Sequence, residues 1–144
     1  MKQRETIRAT FLGDLNKVLV RGKQIIFYNA IYNRDRNKSE IVLLIRARNG
    51  SVILAGDTYY RQISTDILQY LNYKHKHNLI VPHHGGKAGA YYYNIPPTVK
   101  ANKAIISVGL NNYGHPDKSY VRALEDDGFL VQQTNRAGDI TFNV

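Results

Sequence analysis

The sequence predicts an α/β (α+β) fold, a mixed sheet covered by helices, in a single domain spanning residues 1–144. Three observations carry that expectation. Short β-branched runs recur along the chain, as in "EIVLLIRAR" and "KAIISVG". Two segments switch to helical spacing, near residues 60–72 and 117–127. Several apolar runs end in glycine followed by a polar loop, the habit of layered sheets whose strand ends carry function.

The elements follow in order. "KVLV" at 17–20 turns through "RGK" into "QIIFYNAIY" at 24–32, two strands of a meander. "EIVLLIRAR" at 40–48 meets "SVILAGD" at 51–57 across Asn49-Gly50, a strong hairpin signal. Ile63, Ile67, Tyr70 and Leu71 then share one face of a helix at about 60–72. "NLIVP" at 78–82 is short and almost wholly apolar, as a strand buried on both sides would be. "KAIISVG" at 103–109 repeats that form. Pro116 opens a helix over 117–127 with Tyr120, Val121 and Leu124 inward and Gly128 as its C-terminal cap. "FLVQQT" at 129–134 and "DITFNV" at 139–144 read as a closing hairpin around "NRAG".

With 144 residues, the chain is long enough for a sizeable core. No apolar run approaches the roughly 18 residues of a membrane span. The start, "MKQRETIRATF", lacks a signal-peptide core, so no membrane association and a cytoplasmic location are expected. Cysteine is absent, which excludes disulfides and thiolate metal ligands. Twenty Lys and Arg against 11 Asp and Glu give a net charge of +9. That excess favours nucleic acid or phosphorylated partners, although it also serves plain solubility. The eleven tyrosines offer base-stacking surfaces. "AYYYN" at 90–94 reads better as an aromatic cap on the core.

Three strands finish in loops that carry chemistry: "AGD" with Asp57, "PHHGGK" with His83 and His84, and "NNYGHP" with Tyr113 and His115. A carboxylate and imidazoles at neighbouring strand ends form a donor set suited to zinc or manganese. Gly85 and Gly86 would admit close backbone approach and present N–H groups to an anion, with Lys87 beside them. Taken singly, each signal has an ordinary structural explanation: a capping aspartate, a hydrogen-bonded histidine pair, a helix N-terminus. Their recurrence at successive strand ends is what points to a site.

These segments, "NKSEIVLLIRARNGSVILAGD", "LIVPHHGGKAG" and "AIISVGLNNYGHPDKSYVRALEDDGFLVQQTNRAGDITF", resemble the C-terminal half of the metallo-β-lactamase-fold domain of ComEC-type competence proteins and related hydrolases. The resemblance implies half of an αββα sandwich, with one or two zinc or manganese ions at the strand ends. It implies hydrolysis of phosphodiesters or nucleic acid. It casts Asp57 as a metal-bridging carboxylate and His84 as the histidine ligand, with His83 facing substrate phosphate; the reverse assignment of the two histidines is the alternative. Asn37 falls where many relatives carry a further histidine and competence-type relatives an asparagine. Tyr113 and His115 match a loop bordering the substrate cleft. The family's HxHxDH motif is missing. His75 and His77 form an HxH in "YKHKHN", but no DH follows, and they read as solvated residues between helix and strand.

The expected function is therefore a split or truncated hydrolase subunit of the phosphodiesterase or nuclease type. Asp57 and His84 would hold metal; His83, His115 and Tyr113 would do catalytic work. Gly85, Gly86, Lys87 and Asn37 would bind substrate. Zinc or manganese is the expected cofactor, one the isolated chain need not retain, since stable sites take three or four protein ligands. A homodimer, or a second chain carrying the N-terminal half, would complete the fold. The alternative is a catalytically inactive remnant that binds nucleic acid or protein.

Overall fold

A computed structural model describes residues 16–20, 23–29, 40–71 and 76–141. Seven strands form one mixed sheet in sequence order: β1 (Asn16–Val20), β2 (Lys23–Asn29), β3 (Ile41–Arg46), β4 (Gly50–Leu54), β5 (Lys76–Ile80), β6 (Lys100–Ile106) and β7 (Leu130–Gln133). β1 to β4 are an antiparallel meander. From β4 onward every pairing is parallel. The Asn49-Gly50 signal marks the β3–β4 hairpin, closed by the Ala47 N–H donating to the Gly50 carbonyl at 2.9 Å.

Parallel neighbours need crossovers, and helices α1 (Tyr60–Asp66) and α2 (Lys118–Asp126) provide two of them. A strand order that advances in one direction puts same-handed crossovers on one sheet face. The core lies on that face. Val42, Leu44, Ile53, Leu79, Ala104 and Ile106 project from the strands against Ile63, Ile67, Tyr120 and Leu124, in one continuous buried cluster. α1 ends at Asp66, with Ile67 as its cap, and a 3-10 turn follows over Leu68–Tyr70, so the helix is shorter than the one expected to reach 72. Tyr60, Tyr91, Tyr93 and Tyr120 pack ring against ring, with Tyr60 and Tyr120 stacked at 5.6 Å, so "AYYYN" is an aromatic cap on the core.

On the opposite face the side chain of Asn78 is 1 % exposed. Its amide donates to the Ser51 carbonyl on β4 (3.2 Å), and its oxygen accepts from Asn102 on β6 (2.8 Å). An extra residue in β6, between the pairs His77↔Ala101 and Leu79↔Ala104, makes a bulge there.

Two expectations need correction. His77 is not solvated: it lies in β5 on the core face, is completely buried, and bonds through Nε2 to the Tyr93 hydroxyl at 2.8 Å. The polar letters of "KHKHN" hide a strand whose alternate positions 77, 79 and 81 all point inward. Among the described residues the closing hairpin around "NRAG" is also absent. Residues Thr134–Ala137 make one helical turn, α3, capped by Gly138 at φ 69°. The Thr134 hydroxyl holds that turn against the segment just after β6 by donating to the Val108 carbonyl (2.9 Å) and accepting from the Val108 N–H (2.9 Å). Residues 138–141 are not a strand, and 142–144 lie outside the described residues, as do His75 and Asn37.

Candidate functional site

Because β4, β5 and β6 run parallel, their C-terminal ends emerge on the same edge of the sheet. The three chemistry-bearing loops are therefore neighbours, and backbone bonds stitch them together. The His83 N–H donates to the Gly56 carbonyl at 3.0 Å, joining the β5 loop to the β4 loop. The Asp117 N–H donates to the Gly85 carbonyl at 2.9 Å, joining it to the β6 loop.

His83 (φ 54°, ψ 35°) and His84 (φ 52°, ψ 31°) sit consecutively in the left-handed region. A non-glycine residue costs on the order of 1–2 kcal/mol there. Two in a row persist only where surrounding contacts over-determine them, as at ligand sites. One of those contacts defines His84. Its Nδ1 lies 2.7 Å from the Ser107 carbonyl oxygen. A carbonyl only accepts, so Nδ1 is the donor in this contact and Nε2 is the ring nitrogen left for another partner. Metal-binding histidines are commonly oriented in this way.

His115 sits on the other side of His83, ring centroids 5.9 Å apart. It packs so closely over Gly86 that a Cβ there would lie 2.1 Å from the imidazole Cε1. Gly85, at φ 74°, would likewise drive a Cβ to 2.7 Å from Pro116. Both glycines are buried, and the Gly86 N–H is spent on the His83 carbonyl at 2.7 Å. Their place in the site is to let the β6 loop close down, and the Gly86 N–H is not offered to an anion. Lys87 is exposed and lies near enough to Asp117 to help hold its carboxyl below the usual carboxylate range, behind the larger effect of the Ser119 hydroxyl and N–H.

Asn111 was not visible as a site residue in the sequence, yet it shapes the β6 loop. Its Oδ1 accepts from the N–H groups of Tyr113 and His115, both at 3.1 Å. Its Nδ2 lies within bonding distance of the carbonyls of Gly109 (3.1 Å) and His115 (3.0 Å). An Asn two residues before a Tyr-Gly pair is the only sequence signal for such a turn. The Tyr113 ring stands alongside His115 at 6.0 Å and 23° and is 84 % exposed.

Between this loop, His84 and Thr134 lies an open cleft of about 460 Å³. His84, Tyr113 and His115 line it, together with Ser107, Asn111 and Thr134. Asp57 and His83 do not. Asp57 is half-buried in the turn after β4, next to the Gly56 carbonyl that His83 binds. Among the described residues no three His, Asp or Glu side chains gather into a set able to hold a cation. His84 fits the role of a single ligand, but the described donors do not make a closed site. Among the described residues, no helix is long and apolar enough to cross a membrane.

No family profile, no curated protein and no solved structure matches this chain.

Proposed function

We propose that this chain contributes half of a metal-dependent phosphodiester-hydrolysing site of the metallo-β-lactamase type, whose remaining ligands come from a second polypeptide. One observation carries the reading: His84, held in a left-handed backbone and tied through Nδ1 to Ser107, lines a cleft beside the loops that follow β5 and β6 and has its Nε2 left as a ligand nitrogen. His84 and Asp57 are the residues that would hold zinc or manganese. Such an ion, when bound, lowers the pKa of water and offsets charge developing on phosphate. The chain's own part is to orient the ligand imidazole, to place His115 on the cleft wall where it would meet a phosphate, and to fix that wall through Asn111.

A second reading is favoured by the shortage of donors: a module that binds nucleic acid without cleaving it. Calorimetric titration of the full chain with zinc and with manganese separates the two. A single weak site, at least tenfold weaker in both His84→Ala and Asp57→Ala, is expected for a half-site. Manganese-dependent turnover of bis(p-nitrophenyl) phosphate, if present, should vanish in the same variants. Metal affinity or turnover indifferent to both substitutions would overturn the hydrolytic reading, and no metal uptake at all would leave the binding module.

A further inference from the structure

The geometry points to Tyr113 as a stacking platform for a nucleobase, which makes single-stranded nucleic acid the ligand of the strand-end cleft. This deepens the phosphodiester reading and rests on it for the neighbouring phosphate.

In the core cap Tyr60 and Tyr93 are buried and Tyr91 and Tyr120 pack against Tyr60, while Tyr92 is 50 % exposed. Tyr113 leaves 84 % of its surface in water. Exposing an aromatic ring forgoes the stabilisation that burial would give. An unconstrained loop could relieve this by folding the ring down. Here it is held out: Asn111 fixes the Tyr113 N–H and closes the turn on both sides with bonds of 3.0–3.1 Å. His115 braces one side of the ring at 6.0 Å. The other side is open, so the loop presents a pre-formed aromatic surface, and binding to it costs little ordering.

The surroundings select the ligand. At about 460 Å³ the cleft has the capacity of a small-ligand pocket. Among the described residues lining it there is no carboxylate, and two of them are imidazoles. The chain as a whole carries +9. An aromatic face beside neutral or cationic donors, on a basic protein, matches a base joined to its phosphate. In a duplex the base faces are already stacked on one another, so the platform favours an unpaired strand. Stacking does not read base identity, and sequence preference should be weak.

The test is fluorescence anisotropy of a labelled oligo(dT) of about 12 nucleotides with the full chain, against a duplex of equal length. The single strand should bind more tightly than the duplex, and its affinity should fall as salt rises. Tyr113→Ala should weaken it by about 5- to 150-fold, the range for losing one stacked base. Tyr113→Phe should bind like the parent. Because the chain contains no tryptophan, Tyr113→Trp adds a lone reporter whose emission should be quenched on saturation. Equal affinity in Tyr113→Ala, unquenched emission at saturation, or no oligonucleotide binding by the parent would each overturn the inference. Failure here leaves the metal titration of His84→Ala untouched. Stacking confirmed while that titration shows no change would remove the hydrolytic reading alone.

Discussion

His77 shows how a residue's surroundings can reverse what its neighbours in the sequence suggest. Flanked by Lys76 and Asn78, it reads as a surface histidine, but strand alternation sends it inward with Leu79 and Val81, between the rings of Tyr93 (5.8 Å) and Phe129 (5.3 Å). Its Nδ1 has no hydrogen-bond partner among the described residues. Burial without a counter-charge disfavours the imidazolium and lowers its pKa from 6.5 to about 3. In that interval the unfolded chain binds a proton that the folded chain refuses. Stability from this group is thus complete above about pH 6.5 and declines as pH falls towards 3, with a limiting slope of about 1.4 kcal/mol per pH unit. Urea midpoints measured from pH 7 to pH 4.5 should fall accordingly, and His77→Gln should flatten the descent. A profile unchanged in that variant would place the acid sensitivity elsewhere. At the same scale the sequence exposes His83, His84 and His115 as candidates, because imidazoles stand out in a loop. It conceals Ser107 and Thr134, since their contributions are hydrogen bonds formed only when distant segments meet, 23 residues apart for His84 and Ser107.

α2 was legible almost to the residue because each of its signals is local. Asp117 caps the helix, accepting from the Ser119 N–H at 2.8 Å. Tyr120 and Leu124, four apart, share the buried face, and Gly128 takes the φ of 90° that terminates it. The Tyr120 hydroxyl also donates to the Gly89 carbonyl, tying the helix to the segment after the histidine loop. Leu124 is the side chain that anchors α2 to the sheet, with no exposed surface. Leu124→Ala should cost about 2–5 kcal/mol, the range for truncating a core leucine, read as a lower urea midpoint. A loss well below 1 kcal/mol would mean that α2 is not seated as described. α3 was misread for the opposite reason. "TNRAG" suits a hairpin loop as well as a helical turn ending in glycine, and the choice falls to Thr134, whose hydroxyl finds its partner at Val108, just past the end of β6.

Across the whole molecule, the order of elements was readable because hydrophobic runs, helical spacing and turn residues alternate cleanly. Which strands pair in parallel was not, because pairing depends on crossovers whose hand and side leave no mark in the residues they connect. The outcome is a sheet whose middle is its most protected part. Val52, Ile53, Leu79, Ile105 and Ile106 are all at most 5 % exposed, whereas Leu130 on β7 is 59 % exposed. Hydrogen exchange should therefore be slowest for the amides of β4, β5 and β6 and faster in β7. The reverse order would contradict the arrangement of strands. The convergence of three loops depends on the same parallel run, and the cleft opens beside two of them, those that follow β5 and β6.

Asn78 gives that run its alignment. Its amide bridges β4 and β6 from within β5 at a buried position. Side chains alternate in direction, so sliding β5 by one residue would bring His77 or Leu79 to that spot and thrust an unsatisfied amide into the hydrocarbon on the reverse side. Such a slip is heavily penalised. The asparagine cross-tie acts as a vernier, keeping three strand ends flush so that histidines separated by some thirty positions along the chain arrive at the same height.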